Sequence, residues 1–362
     1  MKFNRELRAT LNEYSGFAKE PDSSYLKLGR KRQVPRTFFS KIKMALREFL
    51  FCSPFLNLLV IDICMILPNH KLRSFNYLYQ CLNDQYSKTI LLKVIAFRLI
   101  GDRVKLKDKL YWTKLEEALK TLKESSNENA NRLSKFVFTK NKTEIEIWGT
   151  IYSVFNQFFV DQYTLNHGTI EIDVKNDDYV IEAGGCWGES ALYFAGKIGP
   201  SGKVFSFEFV KSNLKVLFDN IELNKRFEDN IEVIKSPLWS STGVEFYYKD
   251  SGDSSKISLI GNTDFKEKVT SISIDEFVQG KGLHRLDFIK LDVEGAELEI
   301  LKGAIKSIIK FKPKLAIALY HKEADFYDIP KFIKSLNLEY KFYVDHYTFY
   351  HEETFLFMEA RD

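Results

Sequence analysis

Short apolar runs alternate with stretches of apolar residues at helical spacing from residue 178 onward. This alternation predicts an α/β fold in which crossover helices join parallel strands. Near the carboxyl terminus, two further runs predict an antiparallel hairpin that closes the edge of the sheet. The predicted parallel strands lie at 180–182, 203–207, 231–234, 288–291 and 315–319, and the hairpin at 339–347 and 353–360.

The segments around the later strands carry less regular patterns. Apolar and aromatic residues at 245–250 and 270–278 predict extra strands and a short helix. The small polar residues of 252–257 are typical of a mobile loop. Apolar residues recur at helical spacing over 298–308, which predicts one amphipathic helix after the fourth parallel strand.

The amino-terminal third follows a different pattern. Apolar residues at helical spacing predict that 36–134 is mostly helical, with a polar loop at 122–132. Alternation of apolar and polar residues predicts a strand at 169–174. We therefore divide the chain into a basic arm and helical region, residues 1–134, and an α/β domain with its lead-in strands, residues 135–362.

The composition predicts a folded core and excludes one class of partner. The chain has 362 residues, of which 45% are apolar and 31 are phenylalanine. A net charge of +4 does not predict a nucleic-acid-binding protein. The charge is uneven, because residues 1–50 hold 12 lysines and arginines against 5 acidic residues, a net charge of +7.

The cysteines and the amino terminus indicate a protein of the reducing cytosol. No C-x-x-C pair or histidine cluster accompanies the cysteines, which argues against a disulfide framework or a zinc site. The first residues lack the apolar core and cleavage site of a secretory signal. The four cysteines are Cys52, Cys64, Cys81 and Cys186.

One apolar stretch, 49–67, is long enough to cross a bilayer, but polar residues that include Asp62 interrupt it. An aspartate in the middle of a membrane helix costs about 2.5–3.5 kcal/mol of insertion free energy. A buried helix is therefore the better interpretation. Because basic residues precede this stretch, the segment 27–67 is a candidate for docking on an anionic membrane surface or a partner protein. A solvated helix face or a flexible arm is the alternative.

The most informative motif is the run YVIEAGGCWG at 179–188, which a helical pattern follows. An apolar strand, a glycine cluster and a helix start predict a tight turn that binds a nucleotide-like cofactor. Gly184 and Gly185 permit backbone angles that other residues avoid, and free N–H groups near Gly188 attract a carboxylate or phosphate. Glu182, at the strand end, would meet a hydroxyl or a positive charge.

A second acidic residue ends the next strand. Glu208 stands 26 residues after Glu182, and a carboxylate at this position suits the two hydroxyls of a ribose. NAD and S-adenosylmethionine both carry such a ribose. The dinucleotide fingerprint requires glycine where this chain has Ala183. Glycines two and six positions after Glu182 instead resemble methyltransferase motif I.

Several stretches of residues 160–360 together resemble the FkbM family of S-adenosylmethionine-dependent methyltransferases. The resemblance implies a Rossmann-like class I methyltransferase sheet, mostly parallel with an antiparallel carboxyl-terminal hairpin, beside the mostly helical amino-terminal extension. It also implies methyl transfer to a hydroxyl oxygen of a sugar or a complex natural product. The stretches that carry it are YVIEAGGCWGESALYFA, GKVFSFEF, SIDEF, IKLDVEGAELEILKGA and YHKEADFYDIP.

The most specific motif, IKLDVEGAE, places candidate catalytic residues after the fourth strand. Asp292 matches the family position that faces the reactive methyl, as base, orienter or charge beside the sulfonium. Glu294 is a second candidate, with capping of the next helix as the alternative, and capping is favoured for Glu297. His321 follows the fifth strand at the same edge and is the leading candidate for the base, with acceptor binding as its alternative.

Two further sets of contacts are predicted at this edge of the sheet. Ser236 and Leu238, after the third strand, are candidates for contact with adenine. Asp292, Glu294 and His321 would form a cation site if they converge. The sequence shows no dense carboxylate cluster, so no metal is expected, and a divalent ion stays an alternative.

The sequence thus predicts a cytosolic, S-adenosylmethionine-dependent O-methyltransferase that acts on a hydroxyl of a carbohydrate or glycan-like acceptor. The first alternative is an NAD-dependent oxidoreductase or epimerase, which Ala183 and the closing hairpin disfavour. The second is a non-catalytic scaffold with a Rossmann-like fold, which Glu208, Asp292 and the glycine turn disfavour.

Overall fold

The structure, a computed structural model, describes residues 2–14, 69–125, 133–252, 255–261 and 265–360. The segment 27–67 lies outside these residues, as do Cys52 and Cys64, whereas Cys81 and Cys186 are described and are not joined in a disulfide. Within the described ranges, no helix is long and apolar enough to span a membrane. The helices are α1 (Lys2–Tyr14), α2 (Asn69–Cys81), α3 (Gln85–Ile100), α4 (Lys109–Thr121), α5 (Ile151–Val154), α6 (Glu189–Ile198), α7 (Lys211–Leu223), α8 (Ile274–Gly280), α9 (Glu297–Lys302), α10 (Ile305–Phe311) and α11 (Asp325–Ser335), with a π-helix at Phe155–Phe159 and a 3-10 helix at Lys225–Asn230.

The central sheet has seven strands in the spatial order β14-β15-β13-β12-β6-β7-β8. From β8 to β13 the neighbouring strands are parallel, as the alternating pattern predicts. β15 is antiparallel to β13 and to β14 and lies between them, so β14 forms the edge. The predicted sheet and its hairpin are confirmed, with the reversed strand inside the sheet. The strands are β1 (Lys123–Ser125), β2 (Ser134–Lys140), β3 (Thr143–Gly149), β4 (Leu165–His167), β5 (Ile170–Ile172), β6 (Tyr179–Ala183), β7 (Lys203–Phe207), β8 (Ile231–Ile234), β9 (Glu245–Lys249), β10 (Lys256–Ser258), β11 (Glu267–Thr270), β12 (Phe288–Leu291), β13 (Lys314–Ala318), β14 (Tyr340–His346) and β15 (Thr354–Ala360).

Three predicted elements differ from the structure in extent. The single helix predicted over 298–308 is two helices, α9 and α10. Gly303, between them, packs so closely that a Cβ would lie 2.2 Å from the carbonyl oxygen of Trp239. The loop predicted at 252–257 runs into β10, which pairs with β9, and the loop predicted at 122–132 begins with β1, which pairs with β2.

Hydrophobic cores cover both faces of the central sheet. On one face, α1, α2 and α3 pack together with α8–α11 against strand residues such as Ile289 and Leu315. On the other face, α6, α7 and the β2–β3 hairpin pack against residues such as Phe288 and Ala316. Successive side chains of a strand point to opposite faces, so a sheet buried on both sides needs continuous apolar runs. The division at residue 134 stays a prediction.

The amino-terminal helices also cover the edge of the sheet. The backbone N–H of Asn83 donates to the carbonyl of Phe342 at 3.0 Å, and the N–H of Phe342 donates to Asn83 Oδ1 at 2.7 Å. Farther along β14, the N–H of Val344 donates to Ser87 Oγ at 3.0 Å. These contacts satisfy backbone groups that an edge strand would otherwise offer to another chain.

A buried ion pair joins the two middle strands of the sheet. Lys290 of β12 and Glu182 of β6 have side chains that are 1% and 0% exposed, and Lys290 Nζ lies 3.1 Å from Glu182 Oε1. The same ammonium donates to the carbonyl oxygens of the two residues after Glu182, at 3.1 and 3.0 Å. Ser190 Oγ and Ser206 Oγ donate to the two oxygens of Glu182 at 2.7 and 2.5 Å. The pair therefore ties β6, β7, β12 and α6 together.

Replacing Lys290 alone should destabilise the fold strongly. Lys290→Met leaves Glu182 buried without its cation, and breaking a buried pair in this way costs about 3–5 kcal/mol of unfolding free energy. Chemical denaturation followed by circular dichroism measures the loss. The double variant Glu182→Gln/Lys290→Met should recover part of it.

The matched control is Lys281→Met, which breaks the exposed pair between Lys281 and Glu232. Surface pairs of this kind contribute at most about 1 kcal/mol. An unfolding midpoint for Lys290→Met that equals that of Lys281→Met would contradict the importance of the buried pair.

Candidate active site

β6 ends in a tight turn that leads into α6. Gly184 and Gly188 have φ angles of +82° and +88°, which glycine adopts without strain. A Cβ on Gly184 would lie 2.0 Å from the carbonyl oxygen of Asp292, and one on Gly185 would lie 2.5 Å from Ser206 Oγ. The glycines thus allow the turn to pack against the ends of β12 and β7. Their direct contact with a cofactor stays a prediction.

Glu182 lies beneath this turn with its side chain fully buried. The sequence predicts that Glu182 meets a hydroxyl or a positive charge. In the structure, Lys290 of the same chain places a positive charge next to it. Because Lys290 and two serine hydroxyls already donate to its oxygens, Glu182 would act on a cofactor through the turn that it supports. Its direct contact with a cofactor also stays a prediction.

Glu208 follows β7 and is also buried. Its Oε1 accepts the backbone N–H groups of Phe209 and Val210 at 2.6 and 2.7 Å, and its Oε2 accepts Asn213 Nδ2 at 3.3 Å. Burial raises the pKa of Glu208 to about 7, although these hydrogen bonds oppose the shift. The carboxyl group therefore exchanges its proton near neutral pH and lies beside the glycine turn.

The two predicted adenine contacts differ in their surroundings. Ser236 follows β8 and is half-buried. Leu238 is buried, and its side chain belongs to the hydrophobic core on the face of the sheet that carries α8. Packing in the core leaves the backbone of Leu238 as the part that can reach a ligand. Both contacts stay predictions.

Asp292 follows β12 and is held by two tyrosines. Tyr320 OH donates to its Oδ1 at 2.7 Å, and Tyr163 OH donates to its Oδ2 at 3.1 Å. Burial and the negative charge of Asp292 raise the pKa of both tyrosines well above 10, so both hydroxyls stay protonated as donors. Asp292 is thereby fixed in orientation and is a weak candidate for the base.

His321, after β13, faces three carboxylates. Its Nδ1 lies 2.7 Å from Glu297 Oε1, and its Nε2 lies 3.6 Å from Asp292 Oδ1 and 3.8 Å from Glu294 Oε1. Burial lowers the pKa of His321, but the hydrogen bond to Glu297 and the neighbouring carboxylates outweigh it and raise the pKa to about 9. A ring that keeps its proton at neutral pH is a poor general base. The role of His321 as the base stays a prediction, and the raised pKa of the ring argues against it.

The acidic residues between β12 and α9 have separate roles in the loop. Glu297 Oε1 accepts the backbone N–H groups of Val293 and Gly295 at 3.1 and 3.4 Å, so Glu297 holds the loop as well as His321. Glu297 lies in the first turn of α9, where the helix dipole favours a negative charge, and its role as a cap stays a prediction. Glu294 has a φ of +56° and a side chain that is 44% exposed. Asp292, Glu294 and His321 therefore converge at one edge of the sheet.

The sequence alone did not reveal every residue of this site. Lys290 carried a signal, since a lysine inside the apolar run FIKL needs a buried partner. The hydrogen bonds from Tyr163 and Tyr320 to Asp292 depend on tertiary contacts that no local pattern encodes.

Comparisons with known proteins show what this chain is similar to. Residues 171–342 match the methyltransferase FkbM domain. The methyltransferase sdnD of Sordaria araneosa is 25% identical over 205 aligned residues, which cover 48% of this chain and 73% of that protein. The crystal structure of methyltransferase FkbM from Methylobacillus flagellatus KT has a TM-score of 0.51 and 21% identity, and the match covers 80% of this chain and 59% of that one.

The solved structure shows the fold, and this chain spans 59% of its length. The domain match includes the glycine turn, Glu208 and the Asp292–His321 edge. The order of the central sheet, with its reversed strand between β13 and β14, is consistent with both. Residues 171–342 are therefore similar to the methyltransferase FkbM domain, and the chain is related to a protein named as a methyltransferase.

Proposed function

We propose that the protein is a cytosolic, S-adenosylmethionine-dependent O-methyltransferase whose acceptor is a hydroxyl of a carbohydrate or glycan-like molecule. The observation that carries the proposal is the buried carboxyl group of Glu208 beside the glycine turn. When bound, S-adenosylmethionine would supply an electrophilic methyl. The acceptor oxygen would form a bond to the methyl carbon as the C–S bond breaks, the electron pair of that bond would stay on the sulfur of the departing S-adenosylhomocysteine, and the hydroxyl proton would pass to solvent.

The residues beside the turn suit a nucleoside. Asn213 Nδ2 donates to Glu208 Oε2 over a long 3.3 Å, and the backbone N–H of Cys186 also donates to this carboxylate. Ribose hydroxyls would bind Glu208 beside these donors or in place of them. Within the described part of the chain, buried Asn213 Oδ1 and Trp187 Nε1 have no hydrogen-bond partner. Buried polar atoms are rarely left in this state unless a ligand or water satisfies them. The unpaired acceptor Asn213 Oδ1 belongs to a residue that contacts Glu208, so it is available to a ligand bound there.

The start of α6 suits the other end of the cofactor. Gly188 caps this ten-residue helix without a side-chain hydrogen bond, so the first N–H groups lack a side-chain cap. Free N–H groups and the helix dipole favour a carboxylate at such a position. The carboxylate of the cofactor's methionine part would therefore bind here, while its ribose would lie against Glu208.

The edge formed by Asp292, Glu294 and His321 is assigned to the reacting groups. Asp292, oriented by two tyrosine hydroxyls, would place negative charge beside the sulfonium and the acceptor. Correct alignment of the acceptor oxygen behind the methyl accounts for several kcal/mol of catalysis in such displacements. The identity of the acceptor as a carbohydrate rests on the family resemblance of the motifs.

Removing the Glu208 carboxylate should weaken cofactor binding. A hydrogen bond to a charged group contributes about 1.5–3 kcal/mol, so Glu208→Ala should raise the Kd for S-adenosylhomocysteine about 10- to 100-fold. Isothermal titration calorimetry measures this change. Glu222→Ala, at an exposed helix position, is the control and should bind as wild type. NAD should produce no heat, and strong NAD binding would instead favour the oxidoreductase alternative.

Cofactor binding should release protons near neutral pH. Since the pKa of Glu208 lies at about 7 without ligand, roughly half of the molecules carry this proton at pH 7. Ribose hydroxyls donate to the ionised form, so binding expels the proton, and affinity should fall as the pH drops through about 7.

Calorimetry in two buffers of different ionisation enthalpy, at the same pH, measures the number of protons released. Glu208→Gln retains the shape of the side chain but has no titrating proton, so its release should vanish. Equal release by wild type and Glu208→Gln would show that another group titrates.

We also propose that the segment 27–67 docks on an anionic membrane surface. A basic run that precedes an apolar stretch supports this, and α1 and α2, which flank the segment, both pack in the core. Wild type should co-sediment with vesicles of phosphatidylserine and phosphatidylcholine, but not with phosphatidylcholine alone. Arg30→Ala/Lys31→Ala/Arg32→Ala should reduce the bound fraction, and equal binding to both vesicles would refute the proposal.

A further inference from the structure

The Asp292–His321 edge has the spacing of a cation site. A cation about 2.1 Å from each of two donor atoms keeps those atoms no more than about 4.2 Å apart. His321 Nε2 meets this limit with Asp292 Oδ1 at 3.6 Å and with Glu294 Oε1 at 3.8 Å. Both distances exceed a hydrogen bond, so the ring nitrogen faces two carboxylates without bonding to either.

The surroundings of His321 match those of metal-binding histidines. Such histidines almost always donate their other ring N–H to a carboxylate, which fixes the ring and leaves the second nitrogen for the metal. Here Nδ1 contacts Glu297 Oε1 at 2.7 Å, and a metal at Nε2 would displace the proton that this nitrogen carries in the metal-free ring. Backbone N–H groups of the loop in turn fix Glu297.

One buried polar atom at this site also lacks a hydrogen-bond partner. Glu297 is fully buried, and its Oε2 has no partner among the described residues. Beside it, the side chain of His321 is 8% exposed, and its Nε2 contacts Asp292 and Glu294 only across 3.6 and 3.8 Å. A buried polar atom without a partner in a folded protein calls for a ligand, water or ion to satisfy it.

We propose that His321 Nε2, Asp292 and Glu294 bind a divalent cation, with Glu297 as the carboxylate that orients His321. One imidazole and two carboxylates form a mixed nitrogen and oxygen set, which suits Mn²⁺ or Zn²⁺ better than Ca²⁺. Donor atoms of Asp292, Glu297 and His321 lie within 4.8 Å of one another, so Asp292 and His321 are close together where Glu297 orients the ring.

Such an ion would resolve a difficulty at the reaction centre. Asp292 accepts two tyrosine hydroxyls, and His321 is bonded to Glu297, so neither is ready to take the proton of the acceptor alcohol. A bound cation lowers the pKa of an oxygen that it binds, so the alcohol could lose its proton to solvent as the methyl group is transferred. This step rests on the proposed function, whereas the cation site does not.

Titration of the metal-free full-length protein with Mn²⁺, by calorimetry and electron paramagnetic resonance, tests the site. We expect one ion per chain. Glu297→Gln should weaken binding about 10- to 100-fold, as loss of an orienting carboxylate does. His321→Ala and Glu294→Gln should weaken it at least as much, and Glu276→Gln, an exposed carboxylate on α8, should leave it unchanged.

Glu294→Gln keeps the test decisive if His321→Ala fails to fold, because the Glu294 side chain is 44% exposed. Tighter binding of Zn²⁺ or Mg²⁺ that depends on the same residues would also support the site. No binding of any of the three ions, or binding that survives Glu294→Gln, would overturn it. S-adenosylhomocysteine titrated into the same samples separates the two proposals, since cofactor binding without metal binding refutes only the cation site.

Discussion

The ion pair between Glu182 and Lys290 is the constraint on which the rest of the site depends. It crosses the two central strands, and the same ammonium binds the carbonyl oxygens at the start of the glycine turn. Ions buried this deeply lose their hydration, so the pair is stable only because hydrogen bonds to both charged groups replace the lost water. The turn, the start of α6 and the end of β12 are therefore positioned as one unit. This unit also sets the distance between Glu208, which follows β7, and Asp292, which follows β12.

The fold could be predicted from the sequence because the sheet is buried on both sides. Runs such as FIKL and KLAIA are apolar at nearly every position, so β12 and β13 were found within one residue. The break between α9 and α10 was missed because it depends on how closely Gly303 approaches Trp239, a contact between segments distant in sequence. Spacing along the chain carries no information about such contacts.

The sequence predicts which residues form the site, but it does not predict the hydrogen bonds between them. Asp292, Glu294 and His321 converge as the order of the strands suggests, since the carboxyl ends of parallel strands share an edge. The sequence could not show that Glu297 bonds to His321, because a carboxylate in a first helical turn is usually a cap. Here Glu297 lies in the first turn of α9 and also bonds to His321. Because the bond to Glu297 and the neighbouring carboxylates raise the pKa of His321, the ring keeps its proton and is a poor candidate for the base.

The position of β15 matters for any attempt to isolate this fold. The family match ends at residue 342, inside β14 and before β15 begins. A fragment trimmed to that match would lose β15, the strand between β13 and β14, and the amino-terminal segment whose Asn83 bonds to Phe342. Unpaired strands of this kind readily add to those of another molecule. Such a fragment would aggregate, so expression trials should retain both ends of the chain.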